Sequence, residues 1–336
     1  MKKEIEALMN PRLAQSAASQ WTATRKIELL DDVSNFVYQF QSEDAWKILR
    51  ITHSSHRTEN QIIAELDWVK FLSKNGVPVA LPLPSKNKNL TETFPVQDSY
   101  FTAVVFDFAP GQFIEEADPA SWNPDLFYQM GDIMGRMHRV SKDYNPAHLP
   151  EKRPDWMEDD LIKNARQYLP SDLQQAADEL DKLLHRFNQF PKSKDHYGLI
   201  HSDVNPTNFH VLDGEITLFD FDDCAYNWFV NDIAVVMPLY SNMYSKPDWE
   251  EQINEFVSWF MRGYRSENNL DDSWLNFLPI CLRLQNIITL VAMFEANIPG
   301  SRYNSFYELV LKTYREGHPL FEFDFLKGSN LPGVTN

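Results

Sequence analysis

One short β-hairpin pattern, set in a region that otherwise favours helix, constrains the fold of this 336-residue chain more than any other feature. Asp213–Gly214 lies between two apolar runs of the segment Gly198–Asp223, and Asp-Gly in that setting is a strong signal for a two-residue hairpin turn. Apolar residues recur at helical spacing in Leu126–Val140 and Leu173–Phe187 before it, and residues 248–318 after it return to a helical pattern. The C-terminal two-thirds is therefore predicted to be helical with one inserted hairpin.

The N-terminal third has a different character. Residues 1–30 show an amphipathic helical pattern, and Thr58–Asn75 is predicted to be a helix because Thr58 and Gln61 match a capping box and Gly76 is a stop signal. Four apolar stretches predict a small sheet, the first two joined by the turn Ser42–Ala45: Phe36–Gln41, Trp46–Thr52, Val77–Leu83 and Tyr100–Phe108. The segment Ala109–Pro110–Gly111 is typical of a turn and predicts a domain boundary or hinge after this sheet.

Composition limits the partners that the chain can have. The net charge is −17, so the surface repels phosphate backbones and anionic lipid, and we expect neither nucleic acid nor a membrane as partner. A cationic small substrate is compatible with this charge. The chain starts MKKEIEALMN, without the apolar segment of a signal peptide, and its two cysteines make no disulfide framework, so a cytoplasmic location is expected. The apolar stretch Leu275–Phe294 contains Arg283, Gln285 and Asn286, and we interpret it as a buried helix.

Three polar residues flank the predicted hairpin and suggest chemistry. Asp203 and Asn208 precede it and Asp220 follows it, and the two ends of a hairpin lie close together, so these side chains are expected to converge. The Asp220 carboxylate and the Asn208 carbonyl oxygen are hard ligands suited to Mg²⁺ that also holds phosphates. Asp203 is expected to stay off the metal and to accept or orient the proton of a substrate hydroxyl. This set is typical of phosphoryl transfer.

The order of these motifs resembles a known family. The chain has H-x-D-x-x-x-x-N, then the hairpin, then Leu218–Asp223 (LFDFDD) and Phe229–Ala234 (FVNDIA). This pattern resembles the aminoglycoside phosphotransferase and choline kinase superfamily, and most of all its bacterial branch of stress-response-kinase and homoserine-kinase-like proteins. The resemblance implies an α+β, two-lobed, protein-kinase-like fold, with a nucleotide-binding lobe over residues 1–108 and a helical catalytic lobe over 109–336. It also implies ATP and Mg²⁺ as cofactors and a small-molecule hydroxyl as acceptor.

Further residues are expected to bind ATP because of the same resemblance. The strand Ile48–Thr52 resembles the one that carries the phosphate-binding cation, and Val105–Gln112 resembles the hinge, where Asp107 and Ala109 would contact adenine through their backbone. Either Lys47 or Arg50 can point into the cleft, because their side chains lie on opposite faces of a strand. The family pattern favours Arg50, with Ile48 above the adenine and Glu65 as the ion-pair partner of Arg50.

Other residues of these motifs are expected to have structural roles or leave two interpretations open. His201 is expected to be structural, Asp232 to brace the backbone of the catalytic loop, and Cys224 to be a packed residue. Asp222 is a candidate ligand of a second Mg²⁺ ion. Asp223 could equally be a solvated residue of the turn. Four tryptophans could form a cage for a cationic group or simply belong to the core: Trp228, Trp249, Trp259 and Trp274.

The chain departs from the family pattern at two places. The turn Asp32–Phe36, expected to cover the phosphates, has no glycine, so Ser34 and Asn35 are the candidates for phosphate contact. HSD also replaces the more frequent HGD. Two alternatives to a small-molecule kinase therefore stay open: a protein Ser/Thr kinase of the same fold, and a nucleotide-binding pseudokinase with a regulatory role. Only eight residues separate Asp223 from Asp232, which leaves little room for a peptide-docking segment.

Overall fold

The chain forms two compact units. The computed structural model describes residues 3–22, 27–42, 45–115, 118, 120–237, 248–295, 311, 312 and 314. The first unit comprises Met1–Gly111, Tyr144–Arg153 and Thr217–Asp222, and the second comprises Gln112–Asp143, Pro154–Ile216 and Asp223–Asn336. A sheet-based unit and a helical unit give the predicted α+β class; the lobe boundary after residue 108 remains a prediction.

The first unit is built on an antiparallel sheet with the order β1-β2-β3-β6-β4, in which β5 also pairs with β6. Its strands are β1 (Glu28–Asp31), β2 (Phe36–Ser42), β3 (Ala45–His53), β4 (Pro82–Leu83), β5 (Glu92–Val96) and β6 (Ser99–Asp107). Its helices are α1 (Lys3–Leu8), α2 (Pro11–Ser19) and α3 (Glu59–Lys74). The predicted hairpin of β2 and β3 is confirmed, although Glu43 and Asp44 of its turn lie outside the described residues.

The two faces of this sheet pack against different helices. Leu49 and Ile51 of β3 belong to a buried cluster with alanines of α2, whereas Val104 of β6 packs with Ile62 and Leu66 of α3. Alternation along β3 therefore directs Arg50, which lies between Leu49 and Ile51, towards the α3 face. The structure thus confirms the predicted division of β3 into two faces.

The helix α3 begins and ends as the sequence predicts. The Thr58 hydroxyl accepts a hydrogen bond from the Gln61 amide and the Gln61 side chain accepts one from the Thr58 amide, which is a capping box. Gly76 has φ 83°, a conformation that glycine adopts without a steric penalty, and it follows the end of the helix.

Three interpretations of the first unit need correction. Residues 1–30 are not helical to their end, because Glu28–Asp31 pairs with β2 as the edge strand β1. The stretch Val77–Leu83 forms a strand only at Pro82–Leu83, which is β4. The strand β5 was not predicted, since Pro95 interrupts its strand pattern; a proline is tolerated there because, among the described residues, β5 pairs with β6 alone.

The second unit is mostly helical. Its helices are α4 (Pro124–Ser141), α5 (Asp160–Lys163), α6 (Ala165–Tyr168), α7 (Gln174–Phe187), α8 (Phe229–Val236), α9 (Trp249–Glu267) and α10 (Leu278–Glu295). The close contact of α4 with α9 depends on glycine. A Cβ on Gly131 would lie 1.9 Å from the Phe260 carbonyl oxygen, and one on Gly263 would lie 2.0 Å from that of Tyr128. Most of the helical pattern predicted after residue 295 lies outside the described residues.

Short strands interrupt these helices, within the predicted island Gly198–Asp223 and, unpredicted, just after it at β10. The pair β7 (Tyr197–Ile200) and β10 (Ala225–Trp228) is antiparallel, and β8 (Phe209–Leu212) and β9 (Glu215–Leu218) form the predicted hairpin. At its turn, Asp213 has φ 52° and Gly214 has φ 84°. Two successive positive φ angles are those of the type I′ turn that Asp-Gly favours. This hairpin is preceded along the chain by Asp203 and Asn208 and followed by Asp220.

The apolar helix α10 packs against α5, α6, α7 and α8 and has nine buried residues. Within the part of the chain that the structure describes, the segment Asp272–Glu295 is long and apolar enough to cross a membrane, and half of its most apolar part is buried. The core helix of a soluble protein can have the same length and composition.

Candidate active site

The loop between β7 and β8 brings Asp203 and Asn208 together in the second unit. The Asn208 amide nitrogen donates to Oδ2 of Asp203 at 2.7 Å, and Asn205 donates to Oδ1 at 3.0 Å. The side-chain nitrogen of Asn208 also donates to the Asp203 carbonyl at 2.8 Å, which closes the turn between the two residues. Both carboxylate oxygens thus accept an amide hydrogen, as expected for an ionised carboxylate. These contacts use the side-chain nitrogen of Asn208, and the side-chain oxygen points to the other side of the same amide group.

The backbone before Asp203 is strained and is held by a buried acid. Ser202 has φ 71°, which costs a residue with a side chain about 1–3 kcal/mol. Asp232 of α8, fully buried, accepts the amide of His201 at 3.1 Å and that of Ser202 at 2.8 Å. The predicted bracing role of Asp232 is therefore confirmed. His201 is also fully buried, and its Nδ1 accepts the Asp203 amide at 3.3 Å, consistent with the structural role predicted for it.

A buried polar chain continues behind Asp232. His138 of α4 lies 3.0 Å from Asp232 through Nε2 and 2.9 Å from the Tyr264 hydroxyl through Nδ1. Asn268 donates to the same hydroxyl at 2.8 Å, and Lys142 donates to Asn268 at 2.6 Å. Burial lowers the pKa of His138, although Asp232 opposes that shift. A neutral imidazole that donates from Nε2 and accepts at Nδ1 satisfies both neighbours.

In the first unit, Arg50 forms the ion pair that the sequence predicts. Its Nη2 lies 2.6 Å from Oε2 of Glu65, and the side chains are 5% and 0% exposed, so a lone charge at either position would be costly. The Arg50 guanidinium also lies over the Phe106 ring, 5.3 Å from its centroid. Burial alone would lower the pKa of Arg50, but the carboxylates of Glu65 and Asp222 raise it above its ordinary value.

Lys47, the other candidate cation, has a different partner. It lies opposite Asp107 on β6, and its Nζ is 2.6 Å from Oδ1 of that residue. Ile48 is half-buried and neighbours Phe106 across the sheet. The Asp107 amide donates to the Leu81 carbonyl at 2.9 Å, so this amide is already used within the sheet. The adenine contacts of Asp107 and Ala109 remain a prediction.

The two acids of the motif LFDFDD differ in their surroundings. Asp220 has φ 60° and a side chain that is 49% exposed, with Oδ1 at 3.9 Å from Nη1 of Arg50. The side chain of Asp222 is only 6% exposed, and its Oδ2 lies 2.7 Å from Nε2 of His56. Burial raises the pKa of Asp222, but His56, Arg57 and Arg50 together hold it well below its usual range.

The turn between β1 and β2 is fixed through Asn35. Its amide nitrogen donates to Oδ2 of Asp222 at 3.1 Å, and its carbonyl oxygen accepts the Thr52 hydroxyl at 2.6 Å. Ser34 is exposed in the same turn. The phosphate-contact role predicted for Ser34 and Asn35 remains a prediction.

Sequence reasoning missed the basic residues around Asp222. Arg153 donates to the Asp222 carbonyl at 2.6 Å, and Arg57 donates to it at 3.3 Å. His56 and Arg57 lie between β3 and α3. Their position directly after the strand predicted to carry the phosphate-binding cation could have identified them as site residues. Arg153 lies in a segment without a motif, so the sequence offered no signal for its role.

The remaining sequence candidates are Cys224 and the four tryptophans. Cys224 and Trp228 are fully buried, and Trp274 stacks on His196 with a centroid distance of 4.3 Å. Trp259 lies beneath the guanidinium of Arg262 at 4.3 Å, and the side chain of Trp249 is outside the described residues. The core interpretation therefore holds for Trp228 and Trp274. Among the residues described, no three His, Cys, Asp or Glu side chains cluster as a ready metal site.

Two amicoumacin kinases are similar to this chain over almost its whole length. The amicoumacin kinase of Bacillus subtilis (strain 168) is 35% identical over 331 residues, which are 96% of this chain and 97% of that protein. A solved structure of the amicoumacin kinase hAmiN in complex with AMP-PNP, Ca²⁺ and Ami is 33% identical, with a TM-score of 0.87 over 97% of this chain and 99% of that one.

A microcompartment-associated aminopropanol kinase shares the fold, with a TM-score of 0.70 and 23% identity over 92% of this chain and 95% of that one. The APH phosphotransferase enzyme family matches residues 26–268. Neither the protein-kinase nor the pseudokinase alternative is needed to explain these likenesses. The chain is a phosphotransferase that acts on small molecules, and it belongs to the APH phosphotransferase enzyme family.

Proposed function

We propose that this protein transfers the γ-phosphate of ATP to a hydroxyl group of a small molecule in a reaction that depends on Mg²⁺. The observation that carries the proposal is the loop of Asp203 and Asn208, in which the Asp203 carboxylate is held in place by two amide donors. The nucleotide analogue and the divalent cation named with the hAmiN structure support it. Cytoplasmic ATP would be the phosphate donor, in keeping with the location expected from the sequence.

Asp220 and Asn208 each have an oxygen of the kind that a magnesium ion held largely by phosphates would take. Asp220 offers an exposed carboxylate, and Asn208 offers a carbonyl oxygen because its nitrogen is used on Asp203. Mg²⁺ commonly takes one or two protein oxygens and completes its shell with phosphate and water. The absence of a larger acidic cluster among the described residues is consistent with that preference. When bound, the ion would neutralise charge on the transferring phosphoryl group.

The chain's own groups would supply binding and proton transfer. Arg50, kept charged by Glu65, would bind phosphate, and the backbone of Asp107 and Ala109 would bind adenine. Asp203 would accept the hydroxyl proton of the acceptor as transfer proceeds. A carboxylate of ordinary basicity is sufficient in a loose transition state, because the nucleophile needs little activation early in the reaction.

We infer that the acceptor carries both a hydroxyl and a cationic amino group. The net charge of −17 favours binding of a cation, and the names of two similar proteins specify amicoumacin and aminopropanol as their substrates. Amicoumacin is the first compound to test, since the two amicoumacin kinases cover almost the whole chain.

The test is substrate-stimulated ATP turnover by the purified chain, with the product identified by mass spectrometry. The panel comprises amicoumacin, 1-amino-2-propanol, choline and an aminoglycoside, each with Mg²⁺ and with EDTA. We expect a mass increase of one phosphate on at least one amino alcohol, only with Mg²⁺ and only when Asp203 is intact. Phosphorylation of none of these compounds, or equal product from Asp203→Asn, would contradict the proposal.

A further inference from the structure

The two acids predicted as metal ligands in the motif LFDFDD, Asp220 and Asp222, have opposite environments. Asp220 sits on a left-handed backbone, with φ 60° and about half of its side chain exposed. Asp222 points into the first unit, where 6% of its side chain is exposed. Only Asp220 therefore has the accessibility that a ligand of an exchangeable cation needs.

Positive groups surround the Asp222 carboxylate. His56 lies 2.7 Å from Oδ2, and the guanidinium groups of Arg50 and Arg57 each lie 3.9 Å from Oδ1. Oδ1 is buried and has no hydrogen-bond partner among the described residues, so its compensation comes from these charges. A divalent cation on Asp222 would lie beside two guanidinium groups, at a distance where like charges repel strongly in a protein interior.

The same carboxylate fixes the turn between β1 and β2. Asn35 is 6% exposed, and its side chain bridges Thr52 of β3 and Asp222. This turn contains no glycine, so its backbone amides cannot approach a phosphate by adopting the conformations that only glycine permits. Its position is set instead by a side-chain anchor, and that anchor ends on Asp222.

The backbone of Asp222 is held as firmly as its side chain. Its carbonyl accepts hydrogen bonds from Arg153 at 2.6 Å and from Arg57 at 3.3 Å. Arg153 is 2% exposed, so the contact with Arg153 is part of the interior of the first unit. Asp222 is thus a rigid point to which the turn, Arg50 and the segment after β3 are all attached.

We propose that Asp222 is a positioning residue that holds Asn35 and Arg50 for nucleotide binding and is not a ligand of the divalent cation. The inference rests on the proposed function, because it concerns the nucleotide and the cation of that reaction. It assigns Asp220 alone, of the two acids in this motif, to the metal. The turn between β1 and β2, which has no glycine, would be positioned by the hydrogen bond from Asn35 to the buried carboxylate of Asp222, in place of a glycine-rich loop.

Two measurements that need no turnover test this assignment. Binding of AMP-PNP is measured by calorimetry, and the number of Mn²⁺ ions bound to the AMP-PNP complex is measured by electron paramagnetic resonance. Asp222→Asn and Asn35→Ala should each weaken AMP-PNP binding about tenfold, the effect of losing one hydrogen bond to a charged group. Both should leave the number of bound Mn²⁺ ions unchanged, whereas Asp220→Asn should reduce it. Asp223→Asn is the matched control and should change neither quantity.

A double variant separates a shared anchor from two independent defects. Asn35 and Asp222 act through one hydrogen bond. The double variant with Asn35→Ala and Asp222→Asn should therefore bind AMP-PNP about as tightly as whichever single variant has the lower affinity. Loss of Mn²⁺ in Asp222→Asn, with normal Mn²⁺ binding by the wild type, would overturn this inference alone. Unchanged AMP-PNP binding in Asn35→Ala would overturn it too, even if Asp222→Asn did not fold. A wild type that binds neither AMP-PNP nor Mn²⁺ would overturn the proposed function as well.

Discussion

Asp232 accepts the backbone amide of Ser202 at 2.8 Å and thereby holds a serine in the left-handed conformation, φ 71°, directly before Asp203. Glycine would adopt this conformation without steric cost. The Ser202 hydroxyl is buried and has no hydrogen-bond partner among the described residues. The loop is therefore maintained against strain by a carboxylate on another element.

Ser202→Gly should stabilise the protein by about 1 kcal/mol, because relief of strain and removal of an unsatisfied hydroxyl exceed the added entropy of the unfolded chain. The free energy of unfolding from urea denaturation measures this. Ser73→Gly, in the helix α3, is the control and should destabilise by roughly 0.5–1 kcal/mol. A loss of stability in Ser202→Gly as large as that of the control would argue against strain at Ser202.

Protonation of His138 should make stability depend on pH. Burial lowers the pKa of His138 in the folded protein, whereas the unfolded chain has an ordinary value near 6.5. The unfolded state therefore binds more protons between these two pKa values, so this group's contribution to stability is lost as pH falls below about 6.5. Urea denaturation from pH 7.5 to 5 should show that slope, and His138→Gln should reduce it. An equal slope in both proteins would exclude His138 as its source.

The contact between α4 and α9 should not tolerate a methyl group at Gly131. A Cβ there would meet the Phe260 carbonyl at 1.9 Å, and both atoms belong to helix backbones that cannot yield separately. We expect Gly131→Ala to lower the free energy of unfolding by about 2 kcal/mol or more. Glu255→Ala, on an exposed position of α9, should lie within about 0.5 kcal/mol of the wild type, as surface substitutions usually do.

Predictions from the sequence succeeded where a local pattern determines the structure. The capping box at Thr58 and the turn at Asp213–Gly214 depend on residues only a few positions apart, and both are present. The partner of Arg50 could be anticipated because Glu65 lies on the apolar face of α3, where a lone carboxylate would be costly.

The contacts that organise the residues proposed to bind phosphate were not predictable from the sequence in the same way. Asn35 and Asp222 are 187 positions apart, and no periodicity connects them. Arg153 is buried on the Asp222 carbonyl although its segment carries no motif. These contacts are set by tertiary packing, so only the folded chain reveals that Asp222 is enclosed by positive charge.

Asp203→Asn should keep nucleotide affinity and lower turnover about a hundredfold or more, the effect of losing a general base. Asn205 and Asn208 each donate an amide hydrogen to one oxygen of Asp203, and an asparagine offers them only one acceptor. The variant therefore loses the proton acceptor and also disturbs one of these contacts. AMP-PNP binding by calorimetry and substrate-stimulated ATP turnover, measured on the same preparation, separate binding from chemistry.

Asp213→Asn is the matched control for that change, because asparagine tolerates the positive φ of the hairpin turn as well as aspartate does. It should bind AMP-PNP and turn over ATP like the wild type. Asp203→Glu distinguishes a displaced base from a lost one: it keeps a carboxylate on a longer side chain and should retain more turnover than Asp203→Asn. If Asp203→Asn lost AMP-PNP binding while Asp213→Asn kept it, Asp203 would hold the nucleotide or its metal rather than the acceptor proton.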